Sequence, residues 1–304
     1  MRIVLHGQQA FGEAVLNKLL ERGEDVVAVC CAPTKEGKPE DPLALLAKEK
    51  GIPLHQPASW KTPEALELMQ SFNSDVCLMA YVLKFVPEAV REAPTYGTFQ
   101  YHPSLCPQHR GPSSINWPIA MGKTHTGLTI FWPDDGLDEG PIMLQKTCPI
   151  GPDETLGDIY FKKLFPMGVD AMMEGLDMVK AGVIIKHDQR LEDGTYEGWF
   201  NKDCAKLDWT KPVAETYNTI RAANPAPGAW TTLAGAEVKI YDAARMDGDG
   251  TPGEIIDVSD EGVVVQGNGG RILIKRVRPE GSGKIPASEW ASMVSLQNGA
   301  TLGQ

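Results

Sequence analysis

Arg2-Ile3-Val4-Leu5-His6 and Val26-Val27-Ala28-Val29-Cys30 are short apolar runs, and what lies between them decides the fold. From near Ala10 the residues Phe11, Val15, Leu16, Leu19 and Leu20 fall on one face at helical spacing. Gly23 closes that helix, as a glycine just past a helix end does. Strand, helix and strand joined by short links make a βαβ unit. Such a unit requires a parallel sheet and a right-handed crossover.

The alternation continues outward. Pro42 to Lys50 reads as a helix beside Asp41, a good N-cap, and Ile52 to Leu54 as a strand. Pro63 to Phe72 is a helix capped by Thr62, Val76 to Ala80 a strand, and Pro87 to Glu92 a short helix. Thr98 to His102 is a strand running into Pro103, and Ser114 to Met121 a helix distorted by Pro118. Leu128 to Trp132 and Ile142 to Cys148 are strands around a polar, Gly-rich loop. Residues 155–181 form a helical stretch broken at Pro166. The fold class is therefore α/β, with an open, doubly wound and mostly parallel sheet.

The character changes near residue 182. Residues 186–203 are polar and turn-rich and read as a linker. Beyond them lie one helix, Val213 to Ala223, and short β-like runs split by glycines, as in a small barrel or sandwich. The expected organisation is a catalytic domain at 1–185, a linker at 186–203 and a smaller β domain at 204–304, its tail frayed from about 294.

Composition narrows the classes. Of 304 residues, 29 are Lys or Arg and 40 are Asp or Glu, giving a net charge of -11. A general nucleic-acid binder needs basic surface to release counterions, and this chain has no excess of it. Mean hydropathy is -0.22, and no apolar run reaches the length of a membrane span. The start lacks the pattern of a secretory signal, so a cytoplasmic protein is expected. The six cysteines fit no zinc module, and Cys30, Cys31 and Cys77 sit in apolar strands, as buried thiols of a reducing compartment do.

Ligands of open α/β sheets bind beyond the carboxyl ends of the strands. Two segments belong there: Gln100-Tyr101-His102-Pro103-Ser104-Leu105-Cys106-Pro107-Gln108-His109-Arg110-Gly111 and Asp134-Asp135-Gly136-Leu137-Asp138-Glu139-Gly140-Pro141. A strand-end imidazole and a carboxylate meeting in a crevice can move protons and stabilise an oxyanion. The same residues also read blandly, as a structural histidine and a solvated acidic turn.

The sequence resembles the folate-dependent formyltransferase family, whose marker is His-x-Ser-Leu-x-Pro followed downstream by Leu-Asp-x-Gly. Here these are His102-Pro103-Ser104-Leu105-Cys106-Pro107 and Leu137-Asp138-Glu139-Gly140. Within that family it is most similar to the amino-terminal hydrolase domain of 10-formyltetrahydrofolate dehydrogenase, through Ser114-Ile115-Asn116-Trp117, Ile130-Phe131-Trp132 and Pro227-Gly228-Ala229-Trp230 among other runs. It is also similar to methionyl-tRNA formyltransferase. The resemblance implies a Rossmann-like catalytic domain followed by an OB-like β-barrel.

It further implies 10-formyltetrahydrofolate as co-substrate, with no metal. His102 would donate to the oxyanion, Asp138 would orient His102 and relay protons, and Ser104 would support the loop or the oxyanion. Most of the family carries Asn where this chain has Gln100, which either polarises the formyl oxygen or lines the site. The pterin would slot against Lys84, Phe85 and Val86, with backbone near Asp135 and Asp138 completing the pocket. Cys106 is not needed as a nucleophile. His109 and Arg110 either shape the acceptor side or pack the loop.

The acceptor stays open: water would give a hydrolase, an amine or carrier thiol a transferase. Methionyl-tRNA is disfavoured, because the loop Thr34 to Asp41 is short and mixed in charge and the region from 204 onward has no basic excess. A non-catalytic folate-binding protein is the alternative from another class. Gly7-Gln8-Gln9-Ala10-Phe11-Gly12 lacks the spacing of a dinucleotide site, and the Asp134 to Glu139 acids are too clustered for a metal site.

Overall fold

The computed structural model describes residues 1–304. They divide into two compact units. The first comprises Met1–Gly111, Gly127–Cys148 and Lys163–Tyr196; the second comprises Pro112–Thr126, Pro149–Lys162 and Glu197–Gln304.

The first unit is built on a seven-stranded sheet of β1 (Arg2–Gly7), β2 (Asp25–Cys30), β3 (Leu54–His55), β4 (Val76–Ala80), β5 (Thr98–His102), β6 (His125–Phe131) and β7 (Ile142–Pro149). Their order is β3-β2-β1-β4-β5-β6-β7. The strands through β5 pair in parallel, and β6 runs antiparallel to β5. Alternation along the strands buries both faces. Ile3, Leu5, Leu78 and Phe99 pack against α1 (Gln9–Glu21), α2 (Pro42–Glu49) and α7 (Phe165–Lys180). Val4, Cys77 and Met79 face the other way, onto α3 (Pro63–Ser71) and α4 (Glu88–Arg91). Leu78 is fully buried, so Leu78→Ala would cost about 2–5 kcal/mol.

Strand order reverses between β1 and β4, which opens a crevice beyond their carboxyl ends. Gly7 lies at that junction: a Cβ there would stand 2.5 Å from the Ala80 carbonyl oxygen. The glycine serves close strand approach. Asp41 caps α2 through Leu43 N–H and also accepts from Gln9 N–H at the start of α1, both at 2.9 Å.

The second unit holds an antiparallel sheet of β8 (Ala229–Leu233), β9 (Ala236–Met246), β10 (Ile255–Ser259), β11 (Gly262–Gly267) and β12 (Gly270–Pro279), ordered β10-β11-β12-β9-β8, with β13 (Ile285–Pro286) on β12. Beside it lie α5 (Asn116–Ala120), α6 (Leu156–Ile159), α8 (Val213–Ala222) and α9 (Ala287–Met293). Buried Arg221 on α8 donates to the carbonyls of Gly151 (3.1 Å) and Glu154 (2.8 Å), which explains why this unit takes in the earlier segment. No helix is long and apolar enough to cross a membrane.

Three expectations need correction. The tail is not frayed: Leu302 is buried and donates to the Gly253 carbonyl, Gly303 donates to Thr232, and Ala300 accepts from Ile255. The 155–181 stretch breaks before Pro166, as a π-helical turn over Tyr160–Leu164, and Pro166 sits in the first turn of α7, where its missing N–H costs nothing. Residues 186–203 are not a free linker. His187 bridges to Ile142 and Tyr196 to Arg110 within the first unit, and the second unit begins at Glu197.

Candidate active site

Strand β5 delivers the imidazole. Its register sets His102 opposite Thr129 of β6, at the carboxyl end of the sheet, with the ring buried. His102 Nε2 lies 3.3 Å from the His109 carbonyl oxygen, which can only accept, so a protonated Nε2 donates there. His102 Nδ1 lies 3.6 Å from Asp138 Oδ2. Both ring nitrogens thus face oxygen acceptors.

The loop between β6 and β7 delivers the carboxylate. Asp138 adopts a left-handed φ of 56°, rare for a residue other than glycine and costly unless its surroundings fix it. Three contacts do so. Asp138 Oδ2 accepts from Gly111 N–H at 3.0 Å. Gln189 Nε2 donates to the carbonyls of Asp138 (3.0 Å) and Gly140 (2.7 Å). Arg110 Nη1 pairs with Glu139. Gly140 must be glycine, since a Cβ would stand 1.9 Å from the Trp132 carbonyl oxygen.

The loop after β5 is braced from below. Ser104 is fully buried and its hydroxyl donates to the Gln108 carbonyl at 2.8 Å, an arrangement of loop support. Thr129 Oγ1 donates to the Ser104 carbonyl and accepts from Cys106 N–H. Gln145 Nε2 joins the Cys106 carbonyl at 2.7 Å. His109 N–H donates to Thr195 Oγ1, and Arg110 N–H to the Thr195 carbonyl. Burial, and secondarily the Asp138 charge, push the Cys106 thiol up to about 12, so it is no thiolate near neutral pH.

Beside Asp138 lies a half-open cavity of about 230 Å³. One wall is Val82 to Val86, the other Asp134 and Gly136 to Asp138, and Gln100, Met79 and Phe131 form the floor. Of the residues singled out in the sequence, Lys84, Phe85, Val86, Gln100 and Asp138 therefore meet at one cavity. His102 and Ser104 are not part of its lining; His102 stands next to it, with Nδ1 3.6 Å from Asp138 Oδ2. The Asp135 carboxylate turns away from it and accepts from Arg91 Nη2 at 2.9 Å.

Sequence reasoning missed Arg91, Thr129, Gln145, Gln189 and Thr195. Arg91 is buried, also donates to the Val86 carbonyl, and spans the two walls. Nothing in its four-residue helix signals this. Gln189 and Thr195 lie in what reads as a linker, where polar residues carry no periodicity. No group of three His, Cys, Asp or Glu side chains is arranged to hold a metal ion.

A doubly wound sheet followed by an antiparallel β unit is the organisation of this chain, and it belongs to the folate-dependent formyl transferase family. Residues 1–174 match the formyl transferase family model, and residues 200–294 match its C-terminal domain. Among its relatives is the mitochondrial 10-formyltetrahydrofolate dehydrogenase of Mus musculus, 36% identical over 307 residues, covering 96% of this chain and 33% of that protein. The chain thus spans about a third of the length of the dehydrogenases it matches. The methionyl-tRNA formyltransferase of Geotalea uraniireducens is 33% identical over 309 residues and covered over 98% of its length. Among solved structures, HypX from Aquifex aeolicus in complex with tetrahydrofolic acid shares the fold, with a TM-score of 0.71 at 19% identity, over 98% of this chain and 48% of that one.

Proposed function

We propose that the protein deformylates 10-formyltetrahydrofolate, with water as the first acceptor. The observation that carries this reading is the His102 Nδ1–Asp138 Oδ2 approach of 3.6 Å beside a cavity walled by Lys84 to Val86. Water adds to the formyl carbon while His102 Nδ1–H, which at 3.6 Å is not hydrogen-bonded to Asp138 Oδ2, donates to the oxygen that becomes an oxyanion. Asp138 takes the proton from the water and passes it to N10 of the folate as the C–N10 bond breaks. The products are formate and tetrahydrofolate. Gln100, in the cavity floor, supplies a further amide donor toward the formyl oxygen, and Ser104 holds the loop that carries the imidazole.

The pterin head fits against the backbone of Lys84 to Val86 on one side and of the Asp135–Asp138 loop on the other. A cavity of about 230 Å³ suits a bicyclic head with the rest of the ligand outside.

Transfer to an amine is the second reading. It is favoured by the near-complete coverage of methionyl-tRNA formyltransferase, and opposed for a tRNA by the net charge of -11. The test is release of tetrahydrofolate from 10-formyltetrahydrofolate, followed spectrophotometrically, in water alone and then with added thiol or amine. Release in water alone that Asp138→Ala abolishes is the expected result. Release only with an added acceptor makes the protein a transferase. Binding without release in any mixture overturns the catalytic reading in favour of a folate-binding protein.

A further inference from the structure

Two residues of the site hold left-handed backbone, His109 at a φ of 55° and Asp138 at 56°. His109 supplies the carbonyl oxygen 3.3 Å from His102 Nε2, and Asp138 the carboxylate 3.6 Å from His102 Nδ1. Such backbone persists where its surroundings fix it.

One short segment reaches both residues. It starts against β7, where His187 and Ile142 exchange hydrogen bonds of 2.8 and 3.0 Å. Gln189 Nε2 then donates to the carbonyl of Asp138 itself at 3.0 Å, and to that of Gly140 at 2.7 Å. Gln189 Oε1 is buried without a hydrogen-bond partner, so those two carbonyls orient the amide. A turn of 3-10 helix, Leu191–Asp193, follows. Gly194 passes close to Pro107: a Cβ there would stand 2.5 Å from the Pro107 carbonyl oxygen. Thr195 N–H donates to that carbonyl at 3.1 Å, and Thr195 Oγ1 accepts from the N–H of His109 itself at 2.9 Å. Between these anchors Arg190 pairs with Glu192 and Asp193, all three exposed. The two side chains that turn inward thus each bond the backbone of a left-handed residue.

We propose that Gln189 and Thr195 are positioning residues that together set the approach of His102 to Asp138. Gln189 acts through the carboxylate loop, and Thr195 through the His109 carbonyl that holds the imidazole. This role rests on the proposed deformylation and names what aligns its acid–base pair. The two residues act on different quantities. The loop that Gln189 holds also walls the cavity, from Gly136 to Asp138, whereas His102 and His109 do not line it.

The experiment is steady-state turnover of 10-formyltetrahydrofolate by the full chain and four variants, each checked for folding by a thermal melt. Thr195→Val keeps the shape and removes the acceptor. It should lower kcat about three- to tenfold, the worth of one hydrogen bond, with KM unchanged. Thr195→Ser keeps the hydroxyl and should restore kcat. Gln189→Met should lower kcat and raise KM together. Arg190→Ala, on the same segment, should leave both as in the parent protein. Should Gln189→Met fail to fold, the Thr195 pair decides, because Thr195 is exposed and its replacement leaves the core intact. An unchanged kcat in Thr195→Val, a loss confined to KM, a loss that Thr195→Ser shares, or an equal loss in Arg190→Ala overturns the positioning role alone. Absence of turnover by the parent protein overturns the proposed function, and the positioning role with it.

Discussion

Arg91 Nη2 donates to Asp135 Oδ1 at 2.9 Å, joining a guanidinium that is 5% exposed to a carboxylate that is 69% exposed. Through its other nitrogen Arg91 holds the Val86 carbonyl, and its own carbonyl accepts from Thr98 at 2.7 Å. One side chain thus sets the separation of the two cavity walls.

Asp135→Ala should raise KM for the folate about three- to tenfold, because a bond of about 1 kcal/mol no longer fixes the loop. Asp135 is exposed, so the melting temperature should stay within a degree or two. Steady-state kinetics beside a thermal melt check this. A KM equal to that of the parent protein removes Arg91 from any positioning role.

His102 and Asp138 should split binding from chemistry. His102→Asn and Asp138→Asn should each lower kcat by about 10²- to 10⁴-fold, the worth of a positioned acid–base or oxyanion donor. Tetrahydrofolate affinity, measured by fluorescence titration, should change far less. Retention of turnover by either variant would contradict the assignment.

Cys106 sits inside the recognition motif but not in the chemistry. With its thiol held up to about 12 by burial, Cys106→Ala should keep kcat within about threefold. Iodoacetamide near neutral pH should modify the partly exposed Cys204 and spare Cys106, as read by peptide mass spectrometry.

His6 gives the fold a pH dependence. Burial, assisted by the charge of Lys84, lowers its pKa from 6.5 to about 3. The native state keeps the ring neutral where the unfolded chain binds a proton. Stability is therefore complete above pH 6.5 and falls as pH drops toward about 3, by at most about 1.4 kcal/mol per pH unit from this group. His6→Leu should flatten the loss between pH 7 and 5 in urea melts. An unchanged slope would assign the acid sensitivity to other groups.

The fold was legible where periodicity is strong. Ile3, Leu5, Phe11, Val15 and Leu16 announce a βαβ unit, and Leu78 lies in its core as the strand pattern requires. The motif residues His102 and Asp138 were legible as a pair from resemblance. Their common site was legible only as an expectation, because they stand 36 positions apart and no local rule links them.

What the sequence by itself determined is local: which segments are strands or helices, where Asp41 and Thr62 cap, and where the motif residues His102 and Asp138 stand in the chain. Each of these depends on neighbours a few positions away. Tertiary structure alone decided that Arg91 ties the cavity walls, that Gln189 and Thr195 pin the two loops, and that the tail from Ala300 to Gly303 is paired. Hydrogen bonds between such distant partners leave no period in the sequence. They arise when packing of the sheet and helices brings loop carbonyls and side chains within about 3 Å, where a buried polar group must find a partner.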